Sequence, residues 1–163
     1  MPSSPTAERL LTPRFLLVVA VGLASGFLEP LESTSIHFVQ SALERLVDLF
    51  PSRAMDPALQ HQFNTRTARE WEQVRDFIIA HYHLTGREDS EFWRYTRHMP
   101  IPDSLSEILA AWQTRGHLAV DGGHLFQTSS WASLLIGQRC LPRGVHGLAD
   151  RADHKPGELS GGQ

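Results

Sequence analysis

Apolar positions recur along this chain at helical spacing, in blocks divided by proline, glycine and short polar runs. Residues 1–14 are polar, carry three prolines and show no period, so they are expected to lack order. Residues 15–24, Phe-Leu-Leu-Val-Val-Ala-Val-Gly-Leu-Ala, form an apolar run rich in β-branched valine, which predicts a short buried strand or loop. Residues 22–33 read as a loop in which Gly22 and Gly26 permit unusual backbone angles. From Thr34 or Ser35 to Phe50, Ile36, Val39, Leu43, Leu46, Val47 and Phe50 keep a helical period, and Pro51 stops it.

Asp56-Pro57 opens the next helix in the manner of a cap followed by a first-turn proline. That helix is expected to run to about Leu84. Leu59, Phe63, Thr67, Trp71, Val74 and Ile78 form its stripe, Phe77 and Tyr82 widen it, and Gly86 lies beyond its end. Asp89 or Ser90 starts a short aromatic helix with Phe92, Trp93 and Tyr95, broken by Pro100 and Pro102. Asp103 is expected to cap a helix over 105–114 with Ile108, Leu109 and Trp112 inward, and Gly116 to end it. Residues 117–120 and 125–126 are candidates for short strands about the Asp121-Gly122-Gly123 turn. A last helix over about 129–140 contains Trp131, Leu134, Leu135 and Ile136. The pattern predicts a mainly α fold with a few short strands, burying Trp71, Trp93, Trp112 and Trp131.

At 163 residues the chain can bury a core, and its 41% apolar and 20% charged content is ordinary. A net charge of −3 without runs of one sign argues against nucleic acid as a partner. The one cysteine, Cys140, rules out an internal disulfide framework and fits a reducing cytoplasmic setting as a buried, inert thiol. Residues 15–24 follow Arg9 and Arg14 and end in small residues, as a secretory leader does. The run is short for a bilayer span and continues directly into an acidic loop that cleavage near Ser25 would sever, so neither export nor a membrane partner is expected.

That loop carries the candidate chemistry. Glu29 and Glu32 flank Pro30, and Ser33, Thr34 and Ser35 lead into a helix. A helix start offers unpaired N–H groups and a partial positive charge, and so suits an anion beside a carboxylate. The plainer reading is a turn followed by an ordinary capped helix. No His-Glu-x-x-His, cysteine pair, Gly-x-Ser-x-Gly or phosphate-binding loop occurs, and His81 and His83 point to different sides of their helix, so no metal is expected. The cluster Phe92-Trp93-Arg94-Tyr95 reads as core or as the wall of a flat apolar pocket with Arg94 stacked nearby.

Residues 22–36, Gly-Leu-Ala-Ser-Gly-Phe-Leu-Glu-Pro-Leu-Glu-Ser-Thr-Ser-Ile, resemble a segment of flavin-dependent halogenases of the tryptophan halogenase type almost letter for letter. The resemblance continues in order through Arg75-Asp76-Phe77-Ile78 and His81-Tyr82, residues 90–95, residues 101–105, Ser129-Ser130-Trp131 and Gly137-Gln138 to Pro142-Arg143. It implies a helical C-terminal halogenase domain over 15–150, preceded by an unrelated segment 1–14 and followed by a disordered tail 151–163. In such enzymes reduced FAD and oxygen convert halide to hypohalous acid, which halogenates an indole or tryptophan-like aromatic, with a flavin reductase as partner. By resemblance Glu32 is the catalytic glutamate. Thr34 and Ser35 hold the halide through their backbone N–H groups. Gly26, Glu29, Pro30 and Ser33 belong to the flavin-side motif loop, and Trp131 and Trp93 to the substrate pocket. Ser35 stands where many relatives have glycine, and Ser130 where the tryptophan-specific ones have a bulkier residue.

The family's Gly-x-Gly-x-x-Gly and Trp-x-Trp-x-Ile-Pro are absent, and the one lysine, Lys155, matches nothing in it. The FAD-binding part and catalytic lysine are therefore expected from elsewhere, for example from a separate N-terminal halogenase chain, and the chain alone is expected to be inactive. The rival readings are a non-enzymatic helical interaction module and a small secreted protein.

Overall fold

A computed structural model of the chain describes residues 19–29, 33–51, 56–118, 120 and 125–144. Among these residues are five α-helices: α1 (Thr34–Asp48), α2 (Pro57–His83), α3 (Glu91–His98), α4 (Asp103–Arg115) and α5 (Thr128–Gly137). A 3-10 turn, Gly22–Ala24, precedes α1. The expected segments 1–14 and 151–163 and the Asp121-Gly122-Gly123 turn lie outside the described residues. The chain divides into two compact units, residues 1–71 and 72–163, and the division falls within α2.

In the first unit α1 begins and α2 opens where the apolar period places them. Asp56 Oδ1 accepts the Ala58 N–H at 2.9 Å, the cap expected before Pro57. The face that α1 buries, however, is not the stripe that predicts the helix. Thr34, Phe38 and Ala42 are its buried residues, whereas Ile36, Leu43, Val47 and Phe50 are 62%, 49%, 74% and 68% exposed. Phe38 is the anchor: its ring stacks on Trp71 with centroids 4.1 Å apart and planes 1° from parallel.

In the second unit Val74, Phe77, Ile78 and Ala80 of α2, Leu105, Leu109 and Trp112 of α4, and Trp131, Leu134 and Leu135 of α5 are buried. Phe77 sits at the centre, stacked on Phe126 at 3.8 Å and edge-on to Trp131 at 5.0 Å. Asp76 is buried with them because Arg75 donates to its Oδ1 twice, at 2.9 and 2.7 Å, and the Ser104 hydroxyl donates to its Oδ2. Trp112 Nε1 donates to the Cys140 carbonyl at 2.6 Å, tying the chain after α5 back to α4.

Several sequence expectations need correction. No strand forms among the described residues: His117, Leu118, Val120, Leu125 and Phe126 are irregular, and Phe126 spends its apolar surface on Phe77 instead of a strand partner. Val19 to Val21 are likewise not a strand and run into the 3-10 turn. Trp112 and Trp131 are buried, but Trp71 and Trp93 are only partly covered. Ser90, rather than Asp89, caps α3, its hydroxyl accepting the Trp93 N–H at 3.4 Å. Asp103 lies inside the first turn of α4 and makes no capping bond, the N-cap being Pro102. Helix α5 ends at Gly137, short of Cys140, because Arg139 turns left-handed (φ 59°) and the Cys140 N–H reaches back to the Leu135 carbonyl at 2.8 Å. Cys140 itself is half-buried, its sulfur accepting from Gln113 Nε2 at 3.7 Å.

Candidate functional site: the motif loop and the start of α1

The loop entering α1 is fixed by two close approaches. Gly26 has φ +151°, and a Cβ there would lie 3.0 Å from the Trp71 indole. Gly22 has φ +61°, and a Cβ there would meet Val39 Cγ2 at 3.0 Å. Both glycines are needed for backbone angle and for space. At the other end of the loop Ser33 is left-handed, φ 62° and ψ 26°, an uncommon state for a residue with a side chain. Its hydroxyl makes no capping bond, contrary to the simple capped-helix expectation. Instead the Thr34 hydroxyl donates to the Glu29 carbonyl at 3.3 Å, closing the loop on itself. Thr34 is 1% exposed, Ser35 is half-buried, and Glu29 and Ser33 are exposed.

No acidic side chain lies in the first turn of α1. The loop thus sets Glu29 against Thr34, with Gly26 on Trp71. Pro30 and Glu32 lie outside the described residues.

The same helix is held to α2 by a polar cluster that the sequence spacing does not reveal. Glu70 accepts from Ser41 Oγ and Arg45 Nη2, each at 2.9 Å on Oε2, and its Oε1 lies 2.8 Å from His37 Nε2. Arg45 Nη1 also donates to Thr67 Oγ1 at 2.8 Å. The only sequence signal is a set of polar residues on the side of each helix that meets the other.

Trp131 and Trp93 belong to the second unit. Trp131 is 2% exposed and packs on Phe77. Trp93 stacks on Tyr82 at 5.9 Å and meets Phe92 edge-on at 5.0 Å, while Phe92 and Tyr95 are exposed. The cation over Trp93 is Arg87, 4.5 Å from the ring centroid, not Arg94, which donates to the Glu88 carbonyl. Arg87 is also paired with Asp89. The hydrogen bond from Arg87 holds the Asp89 carboxyl below its ordinary range, and the same bond raises the guanidinium.

The sequence has no glycine-rich dinucleotide loop. Among the described residues every buried side-chain nitrogen or oxygen already has a partner. The described residues also hold no group of three His, Cys, Asp or Glu side chains placed to bind a metal. No helix among them is long and apolar enough to cross a membrane.

The tryptophan halogenase family model matches residues 16–154, and the chain belongs to that family. It is 42% identical over 97 residues to 7-chloro-L-tryptophan 6-halogenase KtzR of Kutzneria sp. (strain 744), a match covering 60% of this chain and 19% of that protein. Among solved structures it resembles BrvH, a flavin-dependent halogenase from Brevundimonas sp. BAL3, with TM-score 0.78 and 44% identity over 83% of this chain and 27% of that one. A flavin-dependent halogenase from Xanthomonas campestris gives the same TM-score and identity over 82% of this chain and 27% of its own. The chain thus spans about a fifth to a quarter of the length of the relatives it matches.

Proposed function

We propose that this chain forms the halide- and substrate-side part of a flavin-dependent halogenation site acting on an indole-type aromatic, and that it is inactive alone. The observation that carries the reading is the position of the α1 start. The helix begins at Thr34, directly on the Glu-Ser-Thr string, with Thr34 buried and no acid in its first turn.

In this reading the backbone N–H groups of Thr34 and Ser35 hold the halide, drawn by the helix dipole and by donors that have no intrahelical partner. Glu32 stabilises the positive charge that develops on the aromatic ring as its carbon takes the halogen from hypohalous acid. It then accepts the ring proton and passes it to the hydroxide released from hypohalous acid, which leaves an aryl halide and water. Gly26, Glu29, Pro30 and Ser33 shape the loop facing the flavin. The flavin, its reductase-supplied electrons and the catalytic lysine come from outside the described residues.

The test is turnover. The purified chain with FAD, a flavin reductase, bromide and indole is expected to give no brominated product above a protein-free control, and product above that control overturns the inactivity claim. Where a second polypeptide carrying the remainder of a halogenase restores turnover, Glu32→Gln is expected to abolish it. Undiminished activity in that variant removes Glu32 from the mechanism.

A further inference from the structure

Helix α1 buries the weaker of its two apolar faces. Ile36, Leu43, Val47 and Phe50 make the stronger one, and all four are exposed. The buried face offers Phe38, Ala42 and the hydroxyl-bearing Thr34. At about 3.6 residues per turn the two faces lie roughly 150° apart around the helix. Burial of apolar surface is non-directional and grows with area, so by itself it favours rolling α1 until the larger set turns inward. Something other than apolar area holds the helix in its observed rotation.

The restraint is a third stripe. His37, Ser41 and Arg45 recur every fourth residue, roughly 60° round from the buried face, and all three end on one carboxylate. Glu70 of α2 takes the Ser41 hydroxyl and Arg45 Nη2 on Oε2, each at 2.9 Å, and its Oε1 faces His37 Nε2 at 2.8 Å. These three residues span about 12 Å of the helix axis, so a roll of α1 carries them off together. It strips a mostly buried carboxylate of its partners. A buried ion pair adds little net stability over an apolar pair of similar size, and its best-attested service is to fix register. Its contacts are directional, whereas the stack of Phe38 on Trp71 is a flat contact that tolerates sliding. We infer that Glu70 is a positioning residue that selects which face of α1 turns inward, and that through this rotation it aims the Thr34 and Ser35 N–H groups. The inference rests on the proposed function only for what those groups are aimed at, the halide. A roll takes Thr34 out of its buried place and its hydroxyl away from the Glu29 carbonyl.

Thiol labelling reads the rotation. Cys140 is the one cysteine, so in the full chain carrying Cys140→Ala a thiol placed by Val47→Cys reports the outward face and one placed by Ala42→Cys the inward face. With Glu70 present, the Val47→Cys thiol is expected to react with a chromogenic disulfide reagent at least about tenfold faster, the native exposures being 74% and 6% and buried thiols reacting only through opening. With Glu70→Ala the order is expected to invert, labelling slowing at least about tenfold at position 47 and quickening at position 42. Lost stability alone quickens labelling and never slows it at position 47, so the slowing separates a roll from a loosened fold. Arg45→Met/Glu70→Leu replaces the ion pair with apolar side chains of similar size, which keeps the test open where the single variant unfolds. It is expected to invert the order in the same way while retaining the helical circular dichroism of the unmodified chain. Labelling at position 47 that stays as fast in the folded double variant overturns the inference and assigns the choice of face to the Phe38–Trp71 stack. Loss of the helical signal in both variants overturns it too, because Glu70 is then a support of the fold and not a selector of its face. Neither halide nor flavin enters the measurement. A failed turnover experiment therefore counts against the proposed reaction and leaves the labelling result to decide the rotation.

Discussion

The cluster around Glu70 supplies the sharpest test of how α1 is held. Glu70→Ala removes the acceptor for Ser41 and Arg45 and the partner of His37, and it leaves the Arg45 guanidinium with its bond to Thr67 and its place over the Phe63 ring. An exposed ion pair is worth about 0–1 kcal/mol, whereas removing one partner of a buried pair costs about 3–5 kcal/mol. The Arg45 and Glu70 side chains are 13% and 14% exposed, which sets the loss nearer the second case, at about 2–3 kcal/mol. For a chain of this size that is a fall in Tm of about 5–10 °C. Urea unfolding followed by circular dichroism at 222 nm measures it, and the double-mutant cycle with Arg45→Ala separates the pair from packing, with an expected coupling of at least about 1 kcal/mol. A Glu70→Ala loss under about 0.5 kcal/mol, or a coupling near zero, refutes the view that this cluster fastens α1 to α2.

Phe38→Ala removes the ring stacked on Trp71 and is expected to cost about 3–5 kcal/mol in the same unfolding experiment, because the site has a flat indole that cannot collapse into the space. Gly26→Ala forces a Cβ onto that indole at an angle few residues adopt, with an expected loss of about 1–3 kcal/mol; a Tm equal to wild type contradicts the close approach. In the second unit, Ser104→Ala leaves the buried Asp76 carboxylate one donor short, and a loss of about 1–2 kcal/mol is expected by urea unfolding. The Asp89 carboxyl should titrate below the ordinary aspartate value of 3.8 by carbon NMR and rise in Arg87→Gln, which removes the largest lowering cause. Since its folded pKa is the lower one, whatever stability the pair adds is present above pH 3.8 and is lost as the pH falls through the depressed value.

Helix positions were legible in the sequence because proline, glycine and the 3.6-residue period are local signals. Asp56-Pro57 and Gly116 marked their boundaries to within a residue. Which face a helix buries is not local, and α1 shows it. Its strongest apolar stripe points outward, and the face it buries mixes Phe38 and Ala42 with Thr34 and the polar Glu70 partners. The strands about residues 117–126 were misread because two short apolar segments beside a Gly-Gly turn look alike whether they pair with each other or, as Phe126 does, lie against a ring on another helix. The motif loop was legible as a string of residues. Its closure by Thr34 onto Glu29 and the seating of Gly26 on Trp71 depend on contacts 5 and 45 residues apart that spacing cannot show.

That seating has a practical consequence. Trp71 is the sole tryptophan among residues 1–71, and its indole lies between the Phe38 ring and the backbone at Gly26. The chain therefore carries its own chromophore against the loop that holds the Glu-Ser-Thr string. A shift of that loop on meeting an anion or a partner changes the surroundings of this one ring, and its emission and near-ultraviolet dichroism register the change once Trp93, Trp112 and Trp131 are replaced by phenylalanine.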